Sequence, residues 1–173
     1  RPTSNLEAYD AYLKGREFNN RGNDTQTQRE SAGQFERAVV LDPRSAQTHH
    51  AVGLYWVKRE RWPKALASYD RSLVLSADDV DALAGRAYIH QIMANNWAAL
   101  DDLDHALTLD PTDRSARRQR ASVRLLVGHR NGARRDLDRN LVNNPQDGVR
   151  WAQRGVIYGA QTGDLRLASD DVE

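Results

Sequence analysis

Histidine, carboxylate and serine side chains are the groups of this sequence that could do acid–base, metal or nucleophilic chemistry. No two of the five histidines stand four residues apart, the spacing that would place both on one helix face to bind zinc. The chain has no cysteine, no Gly-x-Ser-x-Gly segment and no glycine-rich loop of the phosphate-binding kind. We therefore predict no catalytic site, no metal site and no cofactor. The histidines are His49, His50, His90, His105 and His129.

The charge and hydropathy of the chain argue against two classes of partner. The formal net charge is +1, so no overall field attracts nucleic acid or a membrane surface. No run of apolar residues is long enough for a transmembrane helix, and the first residues lack the apolar core of a signal peptide. We expect no nucleic-acid partner, no membrane insertion and a cytoplasmic location. The preference for arginine over lysine is typical of a GC-rich, bacterial genome.

A constant period runs through the sequence and predicts a helical repeat array. In residues 80–113, apolar residues recur at helical spacing in two blocks, with Asn95 and Asn96 as turn residues between them and Pro111 as a stop. Each repeat is therefore predicted to be a helix A, a tight turn and a helix B. The segments that mark the period are Leu41–Pro43, Leu75–Ala77, Leu109–Pro111 and Asn143–Pro145.

Small residues recur in register on both helices, which indicates close antiparallel packing. They are Gly53, Ala87 and Ala121 on helix A, and Ala65, Ala99 and Ala133 on helix B. This pattern resembles the tetratricopeptide repeat. Its best matches are Val52-Gly53, Trp56, Ala65 and Tyr69, and then Trp151, Gly155 and Tyr158. The resemblance implies an all-α, right-handed superhelical solenoid of antiparallel helix pairs that serves as a non-catalytic protein- or peptide-binding scaffold.

We predict a single solenoid domain over residues 1–173. Its repeats are expected at about 8–45, 46–79, 80–113, 114–147 and, incomplete, 148–173. The first repeat is four residues too long, and the polar stretch 20–26 predicts that the extra residues lengthen its turn. The opening sequence NLEAYDAYLKGREF resembles the first repeat of bacterial multidomain signalling proteins, which implies an effector domain before Arg1.

In proteins of this family helix A lines the concave groove, and the resemblance therefore implies a set of groove residues. They are His50, Leu54 and Val57 in repeat two, Ala84, Tyr88 and Gln91 in repeat three, and Arg118, Ser122 and Leu125 in repeat four. We predict that a protein segment with apolar side chains and an acidic group docks across these repeats. The alternative is a solvated wall without a ligand. These positions lack the Lys and Asn with which chaperone-binding members grip a C-terminal carboxylate, so no chaperone adaptor is predicted.

Arginine on helix A and aspartate on helix B occur together at a constant separation along the chain. Where helix A has Arg, helix B has Asp, and where helix A has Val52, helix B has Ser68. This co-occurrence predicts the ion pairs Arg86–Asp102, Arg120–Asp136 and Arg154–Asp171. Repeat four is rich in arginine, and two interpretations stay open: pairing with the acidic repeat before it, or a basic patch for an acidic partner.

The last repeat stops at Glu173 inside its second helix, so its apolar face is expected to lack the next repeat. Leu165, Leu167 and Val172 would lie on that face. This suggests an alternative function, in which the chain is the self-association module of a larger bacterial signalling protein and forms a homo-oligomer through its C-terminal end.

Overall fold

The computed structural model describes residues 5–22 and 24–142, and every regular element in these ranges is an α-helix. Consecutive helices form antiparallel pairs, α1 with α2, α3 with α4, α5 with α6 and α7 with α8. Odd-numbered helices are the helix A of a repeat and even-numbered helices are the helix B. The bounds are α1 Leu6–Arg21, α2 Thr25–Leu41, α3 Ala46–Val57, α4 Trp62–Leu75, α5 Val80–Ile92, α6 Asn96–Leu109, α7 Arg114–Leu126 and α8 Arg130–Val142.

The A helices α3, α5 and α7 begin at side-chain caps that recur with the repeat period. Ser45, Asp79 and Asp113 precede the three helices, and each side chain accepts a hydrogen bond from a backbone N–H of the first turn. A cap of this kind satisfies a donor that has no partner within the helix, and it contributes about 1 kcal/mol. The proline that ends the preceding helix B stands two residues before Ser45 and before Asp113, so one short segment stops one helix and starts the next.

The A helices also end in a common way. The backbone N–H of Asn95 donates to the carbonyl of His90 (2.8 Å), and that of His129 donates to the carbonyl of Arg124 (2.7 Å), which is the Schellman pattern. This ending needs one residue with positive φ, and Gly128 supplies it at 81°. Ala94 adopts the same conformation at 61° although it has a Cβ, at a cost of about 1 kcal/mol. The conformation of the turn between helices A and B is therefore defined by these backbone hydrogen bonds and by the residue with positive φ.

Helix packing in the middle repeats is organised around the ring of Tyr69 on α4. The ring is 1% exposed and lies against two A helices, one in its own repeat and one in the next. A Cβ on Gly53 would approach the ring to 3.0 Å, and a Cβ on Gly85 would approach it to 2.5 Å. A side chain at Gly85 would therefore displace the ring, whereas one at Gly53 would need it to shift by only a few tenths of an ångström. Burial raises the pKa of the Tyr69 hydroxyl well above its ordinary value.

The first repeat differs from the sequence prediction in where it places its extra residues. The stretch 20–26 was expected to be a longer turn, but α1 continues to Arg21 and α2 begins at Thr25. Arg21 forms an ion pair with Glu17 on the last turn of α1 (2.6 Å), and Asp24 caps α2 by accepting from the Thr27 N–H. Most of the insertion therefore lengthens the helices, because the polar side chains can cap and pair the helix ends.

The chain divides into two compact units, the first ending at Leu109 with α1–α6 and the second beginning at Asp110 with α7 and α8. We describe each unit by itself. The single-domain prediction, like the bounds of its repeats, stays a prediction. The predicted fifth repeat, including the apolar C-terminal face and the Arg154–Asp171 pair, lies outside the described residues.

Candidate protein-binding surface

Arg86 is held by carboxylates of its own chain and is therefore a structural residue. Its Nε donates to Oδ2 of Asp102 at 2.9 Å and its NH2 donates to Oδ1 at 2.6 Å, so the predicted pair is bidentate. A third bond, from NH1 to Asp70 on α4 (2.9 Å), was not predicted. Hydrogen bonding to Asp102 holds the pKa of the guanidinium above its ordinary value. The prediction of a structural Arg86–Asp102 pair is confirmed.

The equivalent pair in the second unit has the same geometry. Arg120 donates through Nε and NH2 to the two oxygens of Asp136, at 2.9 and 2.6 Å. Arg124, one turn further along α7, also donates to Asp136 at 2.7 Å. The Asp136 side chain is almost fully buried, and two guanidinium groups compensate its charge. The Arg120–Asp136 prediction is confirmed, while the role of Arg124 was missed because Trp56 and His90 occupy its place in the earlier repeats.

Two of the residues predicted to line a groove in the first unit are large apolar side chains that are exposed. Leu54 on α3 is 50% exposed and Tyr88 on α5 is 40% exposed, and they stand one repeat apart at the same register position. The helices α3 and α5 are in contact. Trp62, which sequence reasoning missed, packs edge-on against the Tyr88 ring at 6.3 Å between centroids. The ring of Tyr88 is therefore supported from one side while it stays accessible.

The other groove positions in this unit are more buried. His50 is half-buried, contacts Oδ2 of Asp79 through Nδ1 at 3.3 Å, and meets the Tyr69 ring edge-on. Val57 packs against the apolar cluster that contains Tyr69, and Ala84 and Gln91 are half-buried. His50 thus links α3 to the cap of α5, and the accessible apolar surface is mainly Leu54 and Tyr88.

The groove residues predicted in repeat four belong to the second unit. Arg118 and Ser122 are exposed on α7, and Leu125 is half-buried. Several of the neighbouring arginines are engaged within the unit. Arg117 is buried and donates to Oδ1 of Asn140 at 2.7 Å and to the Pro111 carbonyl. Pairing within the α7–α8 unit therefore accounts for Arg117, Arg120 and Arg124. The two interpretations of the arginine-rich repeat stay predictions.

In residues 5–22 and 24–142, no three His, Asp or Glu side chains are grouped so that they could hold a metal ion. In the same part of the chain, no helix has the length and apolar character needed to cross a bilayer.

Paired helices with small residues at the seams, caps that recur once per repeat and a shared A-helix ending define a tetratricopeptide-type helical repeat. Solved structures of such repeats match the chain. MamA from position 41 to its end, of Desulfovibrio magneticus RS-1, has a TM-score of 0.86 at 12% identity over 98% of this chain and 93% of its own. YrrB, described as a TPR protein with an unusual peptide-binding site, has a TM-score of 0.79 at 16% identity over 99% and 85%.

A third structure is the first TPR of Spaghetti (RPAP3) bound to the HSP90 peptide SRMEEVD, with a TM-score of 0.65 at 13% identity over 70% of this chain and 94% of that one. Neither protein-family models nor the sequences of curated proteins match this chain. The predicted tetratricopeptide-repeat fold is confirmed by the structures, and their low identity limits the likeness to the fold.

Proposed function

We propose that this chain is a protein- or peptide-binding scaffold that uses the surface of α3 and α5 around Leu54 and Tyr88. We call this surface the Leu54–Tyr88 strip. The observation that carries the proposal is the exposure of two large apolar side chains at equivalent positions of neighbouring helices. Single exposed apolar residues are common on protein surfaces, but these two stand at one register position on contacting helices, so one partner segment can contact both.

The chemistry of the strip suits an apolar partner side chain with a polar neighbour. Tyr88 offers a large ring at a small loss of conformational freedom, and Trp62 holds that ring from the side. Ala84 stands one turn before Tyr88 on α5, and its small side chain leaves room for a partner backbone to approach. The proposal is supported by two neighbours in fold, since the RPAP3 repeat was solved with a peptide and YrrB is described as having a peptide-binding site.

A displayed library of random peptides, selected against the purified chain, tests the proposal. Selected peptides are synthesised with a fluorescent label, and their affinity for each variant is measured by fluorescence anisotropy. Tyr88→Ala is expected to weaken binding by about 30-fold or more, because a central aromatic anchor contributes roughly 2 kcal/mol or more. Leu54→Ala is expected to weaken binding by a smaller factor, about fivefold to tenfold.

Val74→Ala is the matched control. Val74 is an exposed apolar residue on α4, a B helix, and it lies outside the Leu54–Tyr88 strip. This variant should bind the selected peptides like the unaltered chain, and circular dichroism should show equal helix content in all variants. If Tyr88→Ala binds as tightly as the unaltered chain, or if Val74→Ala is impaired to the same extent, the strip is not the binding surface.

A further inference from the structure

Arg86 connects three helices where the second and third repeats meet. It lies on α5, donates forward to Asp102 on α6 and back to Asp70 on α4. Its side chain therefore lies in the outer part of the interface that the A helix α5 forms with the B helices α4 and α6. We call an interface of this kind a seam. Leu66, Leu73 and Leu83 fill the rest of this seam.

The seam one repeat earlier has the same three positions but a different set of side chains. Val52 stands in place of Arg86, Ser68 in place of Asp102, and Glu36 in place of Asp70. The carboxylate on the preceding B helix is thus kept, while the cation and its principal partner are absent. This seam lacks the side chain that would pair with Glu36.

An apolar pocket of about 350 Å³ lies in this seam, between α2, α3 and α4. We call it the Val52 pocket. Its wall includes Ala32, Glu36, Val39, Val52, Trp56 and Ser68. Two wall residues, Tyr55 and Trp56, are larger than Ile89 and His90 one repeat later, but the residues on α2 are smaller than their counterparts on α4. Ala32 stands where α4 has Leu66, and Val39 stands where α4 has Leu73, in addition to Val52 in place of an arginine.

Glu36 gives the pocket a charge. It is exposed, and within residues 5–22 and 24–142 no Lys, Arg or His forms an ion pair with it. Its charge reaches the wall of the pocket. Burial raises the pKa of the Tyr55 hydroxyl, Arg59 opposes this shift, and the Glu36 carboxylate adds to it. The pocket therefore combines a mainly apolar interior with a carboxylate that has no ion-pair partner in the described residues, and His49 also lines it.

We propose that the Val52 pocket binds an arginine side chain presented by a partner protein. The three methylenes of the side chain would lie against Val39 and Val52, and the guanidinium would donate to Glu36, as Arg86 donates to Asp70. The Ser68 hydroxyl donates to the Lys64 carbonyl at 2.8 Å and keeps lone pairs that can accept a guanidinium N–H. The partner side chain thus completes the seam in the way that the chain's own arginine completes the next one.

Arginine fits this site better than the other long side chains. A norleucine or leucine side chain would fill the interior but cover Glu36 without pairing it, which costs free energy. A lysine ammonium is a strongly hydrated point charge, whereas a guanidinium is planar and weakly hydrated and packs well beside an indole. Trp56 lies in the wall of the pocket, but the Nζ of Lys64 already lies 4.4 Å from the centre of its ring, so the preference for arginine rests on Glu36 and the apolar wall.

The Val52 pocket is separate from the Leu54–Tyr88 strip. Val52 and Leu54 are two residues apart on α3, which places them about 200° apart around the helix axis. The pocket is bordered by the B helices α2 and α4, while the strip lies on the A helices α3 and α5. The two sites can therefore be tested independently.

The test uses three blocked tripeptides that differ only in the central side chain. The probe is acetyl-Gly-Arg-Gly-amide, and the comparison peptides carry citrulline, which has nearly the same shape without the charge, or norleucine. Binding to the ¹⁵N-labelled chain is followed by two-dimensional NMR. We expect the arginine peptide to produce saturable shifts at the Trp56 indole and at the amides of Val39 and Val52. The citrulline and norleucine peptides should bind about three- to fivefold more weakly or not at all, the range for a partly exposed ion pair.

Two variants locate the binding. Glu36→Gln changes only an exposed carboxylate, and it should reduce the affinity for the arginine peptide to that for the citrulline peptide. Val52→Arg/Ser68→Asp copies the pair of the third repeat into the second, and it should abolish the saturable shifts because the pocket is then filled from within. If this double variant does not fold, Ala32→Leu fills the same space with the residue found on α4 and serves in its place.

Several results would overturn the proposal. They are the absence of saturable shifts around Val52, equal affinity for the arginine and citrulline peptides, and unchanged arginine binding in the filled variant. Tyr88→Ala distinguishes this proposal from the proposed function, since it should leave arginine binding at Trp56 unchanged. Loss of arginine binding in Tyr88→Ala would place the cation on the other surface and would also reject the Val52 pocket.

Discussion

Replacing Arg86 and Asp102, singly and together, measures how strongly the two helices of one repeat are coupled by charge. The Asp102 side chain is 8% exposed and that of Arg86 is 26% exposed, so the pair is partly buried. Arg86→Val leaves a buried carboxylate without its cation, and we expect a loss of about 2–3 kcal/mol in the free energy of unfolding. Asp102→Ser should cost slightly less, about 2 kcal/mol, because Arg86 keeps its bond to Asp70.

The double variant Arg86→Val/Asp102→Ser reproduces the Val52/Ser68 combination of the second repeat. It removes both charges and leaves mainly a packing defect, so we expect a loss of only about 1–2 kcal/mol. The coupling free energy, which is the sum of the two single losses minus the loss in the double variant, would then be about 3 kcal/mol. Urea denaturation followed by far-ultraviolet circular dichroism measures all four proteins under the same conditions.

The variant Asp70→Asn measures how much the exposed Arg86–Asp70 ion pair contributes to the free energy of unfolding. The Asp70 side chain is 51% exposed, so its bond to Arg86 should contribute less than about 1 kcal/mol and should weaken at high salt. The Arg86–Asp102 coupling should change little with salt, because the carboxylate is shielded from solvent. A coupling below about 0.5 kcal/mol would refute the reasoning, since additivity of that order is expected for residues that do not interact.

Two further predictions concern backbone positions and use the same denaturation assay. Gly85→Ala should destabilise the chain by about 1–3 kcal/mol because its Cβ would meet the Tyr69 ring, whereas Gly33→Ala, on an open face of α2, should stabilise it by up to about 1 kcal/mol; equal effects would contradict the packing argument. Ala94→Gly should stabilise the chain by about 0.5–1 kcal/mol because of its positive φ, and the reverse change Gly128→Ala should destabilise it by a similar amount. A loss of stability in Ala94→Gly would show that the A-helix ending tolerates a Cβ without strain.

The ion pairs could be predicted from the sequence because equivalent positions in successive repeats of one chain can be compared with each other. Arg86 and Arg120 each occur with an aspartate at the same separation further along the chain, and Val52 occurs with a serine there. One chain therefore supplies several independent observations of the same contact. The helix pairs follow from the same period. The caps at Ser45, Asp79 and Asp113 carry an equally clear signal, because residue types that favour the start of a helix recur there once per repeat.

Other features depend on contacts that no periodic pattern contains. Gly85 is out of register with the small residues at the seams, and its role becomes visible only when the Tyr69 ring is found against it. Likewise, nothing in the sequence indicates that Trp62 supports Tyr88, because the two belong to different repeats and the contact depends on side-chain direction. The first repeat was predicted with a longer turn because polar residues favour turns, but the same residues also pair and cap helix ends.

The departure of the second repeat from the Arg–Asp pattern has two physical interpretations, and the packing of its neighbours favours one of them. If Val52 and Ser68 were only an uncharged substitute for the pair, the adjoining residues should be larger and fill the space, since cores lose stability through voids. Tyr55 and Trp56 are larger than the equivalent Ile89 and His90, but Ala32 and Val39 are smaller than Leu66 and Leu73, so a pocket stays open, and the carboxylate of Glu36 is retained. Ala32, Val39 and Val52 thus border a pocket of about 350 Å³ beside this carboxylate, which is room enough for an arginine side chain. This combination is what a seam requires if its arginine is supplied by another molecule.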